Sequence, residues 1–204
     1  MHPRHVGARM LLASVILATG RLRAAVEQLT LAVGLVGDDA ALLVRLAQGL
    51  SRLGDTNAAR HSLRHPLVAR TRFGPILTAI GHVYQGLGLN AEALALMDRA
   101  RATGYDNADF RYFRALQLQF NGRLADAEAE MESCLRLGPT FGRASLSLAR
   151  IRRQTPASNH VEFIRSRLST VPKGSEDHAA FEFALHKELD DLEQRDEAWA
   201  ALER

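Results

Sequence analysis

The chain has 204 residues, of which 47% are hydrophobic and 24% charged, and its formal net charge is +3. This balance is typical of a folded globular protein and argues against a long disordered region. Only 6% of the residues are aromatic, the apolar content is mostly Leu and Ala, and the single cysteine, Cys134, excludes an internal disulfide. The composition therefore predicts an all-helical protein of the reducing cytoplasm.

The charges are distributed unevenly along the chain. Residues 1–80 carry ten Arg against four acidic residues, whereas residues 176–204 carry ten acidic residues against three basic ones. Such an asymmetry can steer a partner, although it is also compatible with two solvated helix faces of opposite sign. Because the Arg residues are scattered and the C-terminal part is acidic, we expect no nucleic-acid partner.

The first predicted element is the apolar stretch "ARMLLASVILATG". It has the composition of the apolar part of a secretory signal, but it fits the internal repeat described next, in register. We therefore predict that it is a helix of the folded protein. No apolar run reaches the length of a membrane-spanning helix, so we expect no membrane partner.

A repeat of 34 residues begins in this first stretch. The chain has a glycine at four equally spaced positions, Gly20, Gly54, Gly88 and Gly122. An alanine follows each glycine in the same register, at Ala25, Ala59, Ala93 and Ala127, and a large apolar residue follows each alanine, at Leu29, Leu63, Met97 and Met131. The glycine suits a sharp turn with positive φ, and the alanine lets two helices approach closely above the larger side chain.

This pattern resembles the tetratricopeptide repeat (TPR) family, whose units follow W-x2-L-G-x2-Y, then A-x3-F, then P. The third unit matches best, with Ile80-Gly81, Tyr84, Ala93 and Met97. The resemblance implies an all-α, right-handed solenoid of antiparallel helix pairs with about 12 helices.

The sequence departs from the family pattern at several places. Arg114 stands where the leucine is expected, and Pro66 should end or kink the second helix of its unit early. After residue 150 the register fails. In the last unit, His186 and Glu193 occupy positions where small residues are expected. We therefore predict one solenoid over residues 1–204, with regular repeats over about 6–139, an irregular unit over about 140–174 and a TPR-like helix pair over about 175–204.

Motifs that carry catalytic chemistry were not found in the sequence. It has no phosphate-binding glycine loop and no nucleophile elbow, and we expect neither an enzymatic activity nor a cofactor. His61 and His65 are spaced to share one face of a predicted helix, but a metal site needs a third ligand, so a solvated face is preferred and no metal is expected. Cys134 falls in a small-residue position and is interpreted as a packing residue.

The expected function is recognition of a protein or peptide in the concave groove. In the TPR family the first helices line this groove, and Gln and Tyr suit hydrogen bonds to an extended backbone while Arg suits a carboxylate. The alternative is that these polar residues line the groove without binding a ligand. The resemblance selects ten residues for the groove: Gln48, Ser51, His82, Gln85, Tyr112, Leu116, Gln119, Arg143, Arg150 and Arg153.

The final stretch, "FALHKELDDLEQRDEAWAALER", resembles the last repeat that precedes the catalytic domain in bacterial TPR–sulfotransferase proteins. This resemblance implies a non-catalytic arm of a larger protein, and the alternative is a free-standing bacterial TPR adaptor in assembly or regulation. Trp199 is expected to pack partly against Leu185 and Leu189. Apolar surface that remains on residues 176–204 would be covered by a following catalytic domain or by self-association, for which the basic N-terminal segment of a second copy is a candidate partner.

Overall fold

The computed structural model describes residues 5–203, and these residues form thirteen α-helices and no strand, apart from an isolated bridge between Thr155 and Ser158. The chain divides into two compact units, Met1–Tyr105 and Asp106–Arg204. The helices of the first unit are α1 Val6–Ala18, α2 Leu22–Val33, α3 Ala40–Arg52, α4 Thr56–Ser62, α5 Pro66–Arg70, α6 Gly74–Gly86 and α7 Asn90–Ala102. Those of the second are α8 Ala108–Phe120, α9 Leu124–Leu137, α10 Gly142–Ile151, α11 Val161–Leu168, α12 Glu176–Asp191 and α13 Arg195–Leu202.

The regular repeats are helix pairs joined by tight turns. Within the first unit α1 packs on α2, α3 on α4 and α6 on α7, and in the second unit α8 packs on α9. Each turn contains one of the four periodic glycines, and all four have positive φ, between 74° and 80°. The prediction that these turns need a left-handed residue is therefore confirmed.

The alanine and large apolar positions form the interior of each pair. The four alanines of the repeat are fully buried, and the large residues beneath them are at most 7% exposed. In the third pair, a Cβ built on Gly81 would lie 2.8 Å from Cε of Met97 and 3.5 Å from the carbonyl oxygen of Ala93. The expected tight contact at Gly81 is confirmed, which fixes the register of the repeat.

Pro66 breaks the second helix of its pair, as predicted. Helix α4 ends at Ser62, and the short helix α5 begins at Pro66 with His65 as its N-cap. Arg99 of α7 donates hydrogen bonds to the carbonyl oxygens of Val68, Ala69 and Thr71, at 3.0–3.1 Å. These bonds satisfy carbonyls that the shortened helix leaves without a partner.

The irregular unit differs from a helix pair. Helix α10 ends at Ile151, and residues 152–160 form a loop before the short helix α11. Helix α10 packs directly on α12, and α12 also packs on α11 and α13. At the start of α10, the backbone N–H of Gly142 donates to Oδ1 of Asp177 at 2.9 Å, and a Cβ built on Gly142 would lie only 2.2 Å from the carbonyl oxygen of Asp177. The absence of a side chain at Gly142 thus allows α12 to approach α10.

The last helix pair buries its small residues and leaves its tryptophan outside. Ala198 and Ala201 belong to the same core cluster as Leu185 and Leu189. Trp199 is 63% exposed, and its Nε1 donates to Oε1 of Glu203 at 2.8 Å. The expectation that Trp199 packs against this core was therefore wrong, because the two alanines occupy the inner face of α13.

Candidate peptide-binding surface

The ten residues predicted to line the groove lie in both units. Helices α3 and α6 of the first unit hold four of them: Gln48, Ser51, His82 and Gln85. Helices α8 and α10 of the second unit and the loop after α10 hold the other six: Tyr112, Leu116, Gln119, Arg143, Arg150 and Arg153.

The residues of the first unit are half-buried on two first helices that pack on each other. His82 and Gln85 lie on α6 and share a hydrogen bond through their side chains. Burial lowers the pKa of His82, and this hydrogen bond opposes the shift. The side chain therefore favours the neutral imidazole near pH 7, which can donate and accept hydrogen bonds without carrying a charge.

An aromatic cluster lies between α8 and the start of α10. The rings of Tyr112 and Phe141 are 5.0 Å apart, and Tyr112 also meets Phe113 edge-on at 5.6 Å. The guanidinium of Arg143 lies 5.7 Å from the centre of the Tyr112 ring and 5.2 Å from that of Phe141. Leu116 is half-buried and, like Tyr112 and Phe141, packs on a core formed by Ala115, Met131, Cys134, Leu135, Ala144 and Leu148. The structure thus brings Tyr112, Leu116 and Arg143 together.

Arg150 and Arg153 line a second feature of this unit, which we call the basic groove. It lies between the end of α10 and the end of α12, and its volume is about 550 Å³. Five basic and three acidic residues line it: Arg150, Arg152, Arg153, Lys187, Arg195, Asp190, Asp191 and Glu193. With all of them ionised, the lining carries a net charge of about +2.

Several of these charges are already paired with each other. Lys187 donates to Asp191, which also accepts the backbone N–H of Gln154 at 2.9 Å. Arg153 reaches Oε1 of Glu193 at 3.5 Å. Burial raises the pKa of Asp191, but the hydrogen bonds from Lys187 and from Gln154 outweigh it, so that the pKa lies below its ordinary value. Asp191 therefore stays ionised and holds Lys187 in place.

Two arginines of the basic groove have no such partner. Arg150 is exposed on the last turn of α10 and Arg195 is exposed at the start of α13. Neither forms an ion pair or a side-chain hydrogen bond with any residue in the range 5–203. Their guanidinium groups are available for a carboxylate or phosphate, which such groups bind in a bidentate manner.

Some of these residues were not among those predicted from the sequence. Phe141 precedes α10 and belongs to no repeat position. Lys187 directly follows His186, which stands in the glycine slot of the last pair, and Asp190 lies one turn further on. Groove residues were predicted at the position after the glycine slot and one turn later. Applied to the last pair, this rule selects Lys187 and Asp190. Helix α10 ends at Ile151, so Arg153 lies in the loop rather than on the first helix.

The alternative sites considered from the sequence have structural explanations. His61 lies on α4, whereas His65 caps α5 and accepts the backbone N–H of Leu67 through Nδ1 at 3.3 Å, so the two do not share one helix. The Cys134 thiol is buried and donates to the carbonyl oxygen of Ala108 at 3.2 Å, and burial raises its pKa to about 12. A thiol of this kind is unreactive near neutral pH, which agrees with a packing role.

Two other features are absent from residues 5–203. In that range no three His, Cys, Asp or Glu side chains are grouped as ligands of a metal ion. No helix in the same range combines the length and the apolar character that crossing a bilayer requires.

Solved structures with the same architecture were identified by comparison. A tetratricopeptide repeat protein from Parabacteroides merdae aligns over 97% of this chain and 77% of its own, with a TM-score of 0.67 and 18% identity. The pilF protein of Pseudomonas aeruginosa aligns over 96% and 88%, with a TM-score of 0.64 and 19% identity. YrrB, described as a TPR protein with an unusual peptide-binding site, aligns over 86% and 89%, with a TM-score of 0.59 and 18% identity.

One curated protein is similar in sequence, the TPR repeat-containing thioredoxin TTL4 of Arabidopsis thaliana. It is 41% identical over 69 residues, which are 34% of this chain and only 10% of the plant protein. No family model matches the chain. The 34-residue helix pairs, their glycine turns and their alanine contacts, together with these structural neighbours, show that the chain has the tetratricopeptide-repeat fold.

Proposed function

We propose that the chain is a non-catalytic scaffold that binds an extended segment of another protein, and that the basic groove of the second unit receives an acidic group of this segment. The observation that carries the proposal is the pair of unpartnered guanidinium groups, Arg150 and Arg195, in one groove. A carboxylate between them would form charge-assisted hydrogen bonds that neither arginine makes within the chain.

The rest of the bound segment would lie along the first helices. On α8, Tyr112 and Leu116 offer apolar surface, and Gln119 offers an amide that can bond to an extended backbone. Arg143 stacked on Tyr112 and Phe141 gives this surface a rigid edge, since each of these side chains restricts the others. The first unit has a polar surface of its own, on which Gln48, Ser51, His82 and Gln85 are proposed to form hydrogen bonds to an extended segment. A peptide-binding site is described for YrrB, which has a similar fold, and this analogy supports the proposal.

A display library of random peptides with free carboxyl ends would test the proposal. Peptides selected on the intact chain should be acidic, and their affinity should fall as the salt concentration rises. Arg150→Ala and Arg195→Ala should each weaken binding about three- to tenfold, which corresponds to about 0.7–1.4 kcal/mol. Arg136→Ala is the matched control, because this exposed arginine lies on the second helix α9, outside the basic groove.

Selected peptides that bind equally well to all three variants would contradict the proposed site. Tyr112→Ala and Gln119→Ala test its extension along α8 and should weaken binding of the same peptides. A loss at Arg150 without a loss at Tyr112 or Gln119 would confine the site to the basic groove.

We also propose that this scaffold serves a larger bacterial protein as the arm that precedes a sulfotransferase-type domain. The similarity of the final helix pair to the last repeat of TPR–sulfotransferase proteins supports this proposal, and a free-standing cytoplasmic adaptor is the alternative. The genomic reading frame beyond Arg204 tests it. A phosphosulfate-binding loop within about one domain length would support the arm, and a stop codon would favour the adaptor.

A further inference from the structure

The contact between successive repeats has a defined register. In the first unit, Cδ1 of Leu29 on α2 lies 3.2 Å from a Cβ built on Gly49 of α3. In the second unit, Oε1 of Glu128 on α9 accepts the Nε–H of Arg152 after α10, at 2.8 Å. The large apolar position of one repeat thus meets the Gly49 position of the next, and the residue after the repeat alanine faces the segment that follows, where Arg152 lies beyond the last residue in register.

Helix α1 exposes apolar residues at positions where later repeats have buried ones. Val15, one 34-residue period before Gly49, is 56% exposed, and Leu12 is 44% exposed. The residues in the Leu12 position of the next two repeats, Leu46 and Ile80, are fully buried. We call the surface formed by the exposed Leu11, Leu12 and Val15 together with the half-buried Ile16 the head face.

Helix α13 exposes the complementary positions. Leu202 stands in the position of Leu29 and is 40% exposed, whereas Leu29 is 7% exposed. Trp199 directly follows Ala198, as Glu128 follows Ala127, and it is 63% exposed. We call the exposed surface of Trp199 and Leu202 the tail face.

The chain segments that carry the two faces have net charges of opposite sign. Residues 5–36, which include α1 and α2, contain Arg9, Arg21 and Arg23 against Glu27, for a net charge of +2. Residues 195–203 contain one basic and three acidic residues, for a net charge of −2. This difference in net charge has the same sign as the one between residues 1–80 and residues 176–204.

We propose that the tail face of one copy of this chain docks on the head face of a second copy, in the register that joins its own repeats. Leu202 would lie on Val15 of the second copy, as Leu29 lies on Gly49. Trp199 precedes Leu202 by one turn of α13, so it would lie nearer the C-terminal end of α1 of the second copy. The two helices would run antiparallel, so that Asp196 approaches Arg21 and Arg23.

This contact is heterologous, since each copy uses a different surface. Such contacts leave a free face at both ends of a pair and add further copies. A single helix-on-helix interface is also small, so the association is weak and depends on concentration. Salt weakens it, because the charges at its edge are exposed. The proposal does not depend on the proposed peptide site.

Sedimentation velocity on the intact chain tests this arrangement. The weight-average mass should rise above the 22.4 kDa of one chain as the concentration is raised through the micromolar range, and less so at high salt. Val15→Glu blocks the head face and Trp199→Glu the tail face, and each should weaken association at least tenfold. Phe120→Glu is the matched control, because Phe120 is 61% exposed but lies on neither face.

Mixing the two blocked variants separates this geometry from a symmetric one. Val15→Glu keeps its tail face and Trp199→Glu keeps its head face, so the mixture should form a one-to-one heterodimer and nothing larger. All three substitutions are at exposed positions, and circular dichroism verifies that the variants are folded. A wild-type chain that stays monomeric throughout would overturn the proposal, as would a mixture without heterodimer or an equal effect of Phe120→Glu.

Discussion

Gly142→Ala probes the closest backbone approach in the second unit. A Cβ at this position would lie 2.2 Å from the carbonyl oxygen of Asp177 and 2.8 Å from its Cα and carbonyl carbon. Because all three atoms belong to the backbone of α12, no rotation of a side chain can relieve the overlap. The start of α12 must move away from α10 by about 1 Å to restore ordinary van der Waals contact.

The expected magnitude follows from three effects. Alanine is usually better than glycine in a helix by about 0.5–1 kcal/mol. Overpacking a close contact costs about 1–3 kcal/mol, and the movement weakens the Gly142 N–H bond to Asp177, which is worth about 1 kcal/mol. We therefore expect Gly142→Ala to lower the free energy of unfolding by about 1–3 kcal/mol. For a chain of this size, 1 kcal/mol corresponds to a fall in Tm of about 2–4 °C.

Thermal and urea unfolding, followed by far-UV circular dichroism, measure this loss. Gly86→Ala is the control, because Gly86 ends α6 and a Cβ built there meets no atom within 4 Å. It should leave the stability unchanged or raise it by up to about 1 kcal/mol. Asp177→Ala removes the hydrogen bond without the overlap and should cost less than Gly142→Ala. If Gly142→Ala is as stable as Gly86→Ala, the close packing of α10 on α12 is refuted.

Four other substitutions probe backbone conformations and buried polar groups. Glu193 is the only non-glycine residue with positive φ in the range 5–203, at 63°. Glu193→Gly should therefore raise the free energy of unfolding by up to about 1 kcal/mol, because glycine adopts this conformation without strain. Gly122→Ala should lower the free energy of unfolding by about 1 kcal/mol, and urea unfolding measures both changes. Gln117 is fully buried, and neither amide atom has a partner among residues 5–203, so Gln117→Met should stabilise the chain by about 1–2 kcal/mol, and an unchanged Tm would contradict this. The hydrogen bond to Glu188 raises the pKa of His160 above 6.5, so its stabilisation is complete below the unfolded pKa and is lost as the pH rises through the folded pKa. His160→Gln should therefore cost most in acid and least in alkali, and a pH-independent difference in urea unfolding would show that the pair does not titrate as proposed.

The regular repeats could be predicted from the sequence because each position has one physical requirement. A turn with positive φ calls for glycine, and a close helix contact calls for alanine, so both leave a periodic trace in the chain. The same reasoning found the break at Pro66, since proline removes a backbone donor wherever it occurs. The start of α12 was also predictable, because Ser175 caps it by accepting the N–H of His178 at 3.1 Å.

The ion network around Arg114 could not be predicted from the repeat pattern. Arg114 occupies a leucine position and is 8% exposed, and its Nη1 lies 2.5 Å from Oε1 of Glu130. Glu130 also accepts from Arg111 at 3.0 Å, and Arg111 is held by Asp106 at 2.6 Å. The arginine in the leucine position is thus neutralised by Glu130 on the facing helix α9. A single sequence does not reveal such a pairing, because many carboxylates could serve equally well.

The candidate site was found only in part for a related reason. The repeat pattern places residues on a helix face, and it therefore selected Tyr112 and Arg150 as candidates. It cannot state which charges neutralise one another, and this decides what a ligand can bind. Arg153 is engaged with Glu193, whereas Arg195, which the pattern did not select, is free among the described residues.

Glu193 shows that the turn of the repeat can keep its positive φ without a glycine. It stands where the earlier turns have glycine, and its backbone still adopts positive φ, so the turn geometry persists without the residue that favours it. What maintains the turn is the packing on either side: Leu189 and Ala198 are buried, and the N–H of Gln194 donates to the carbonyl oxygen of Leu189 at 2.9 Å. The side chain of Glu193 remains in solvent and faces Arg153. Here the helix contacts determine the backbone conformation. The glutamate that adopts this left-handed conformation adds a negative charge to the basic groove.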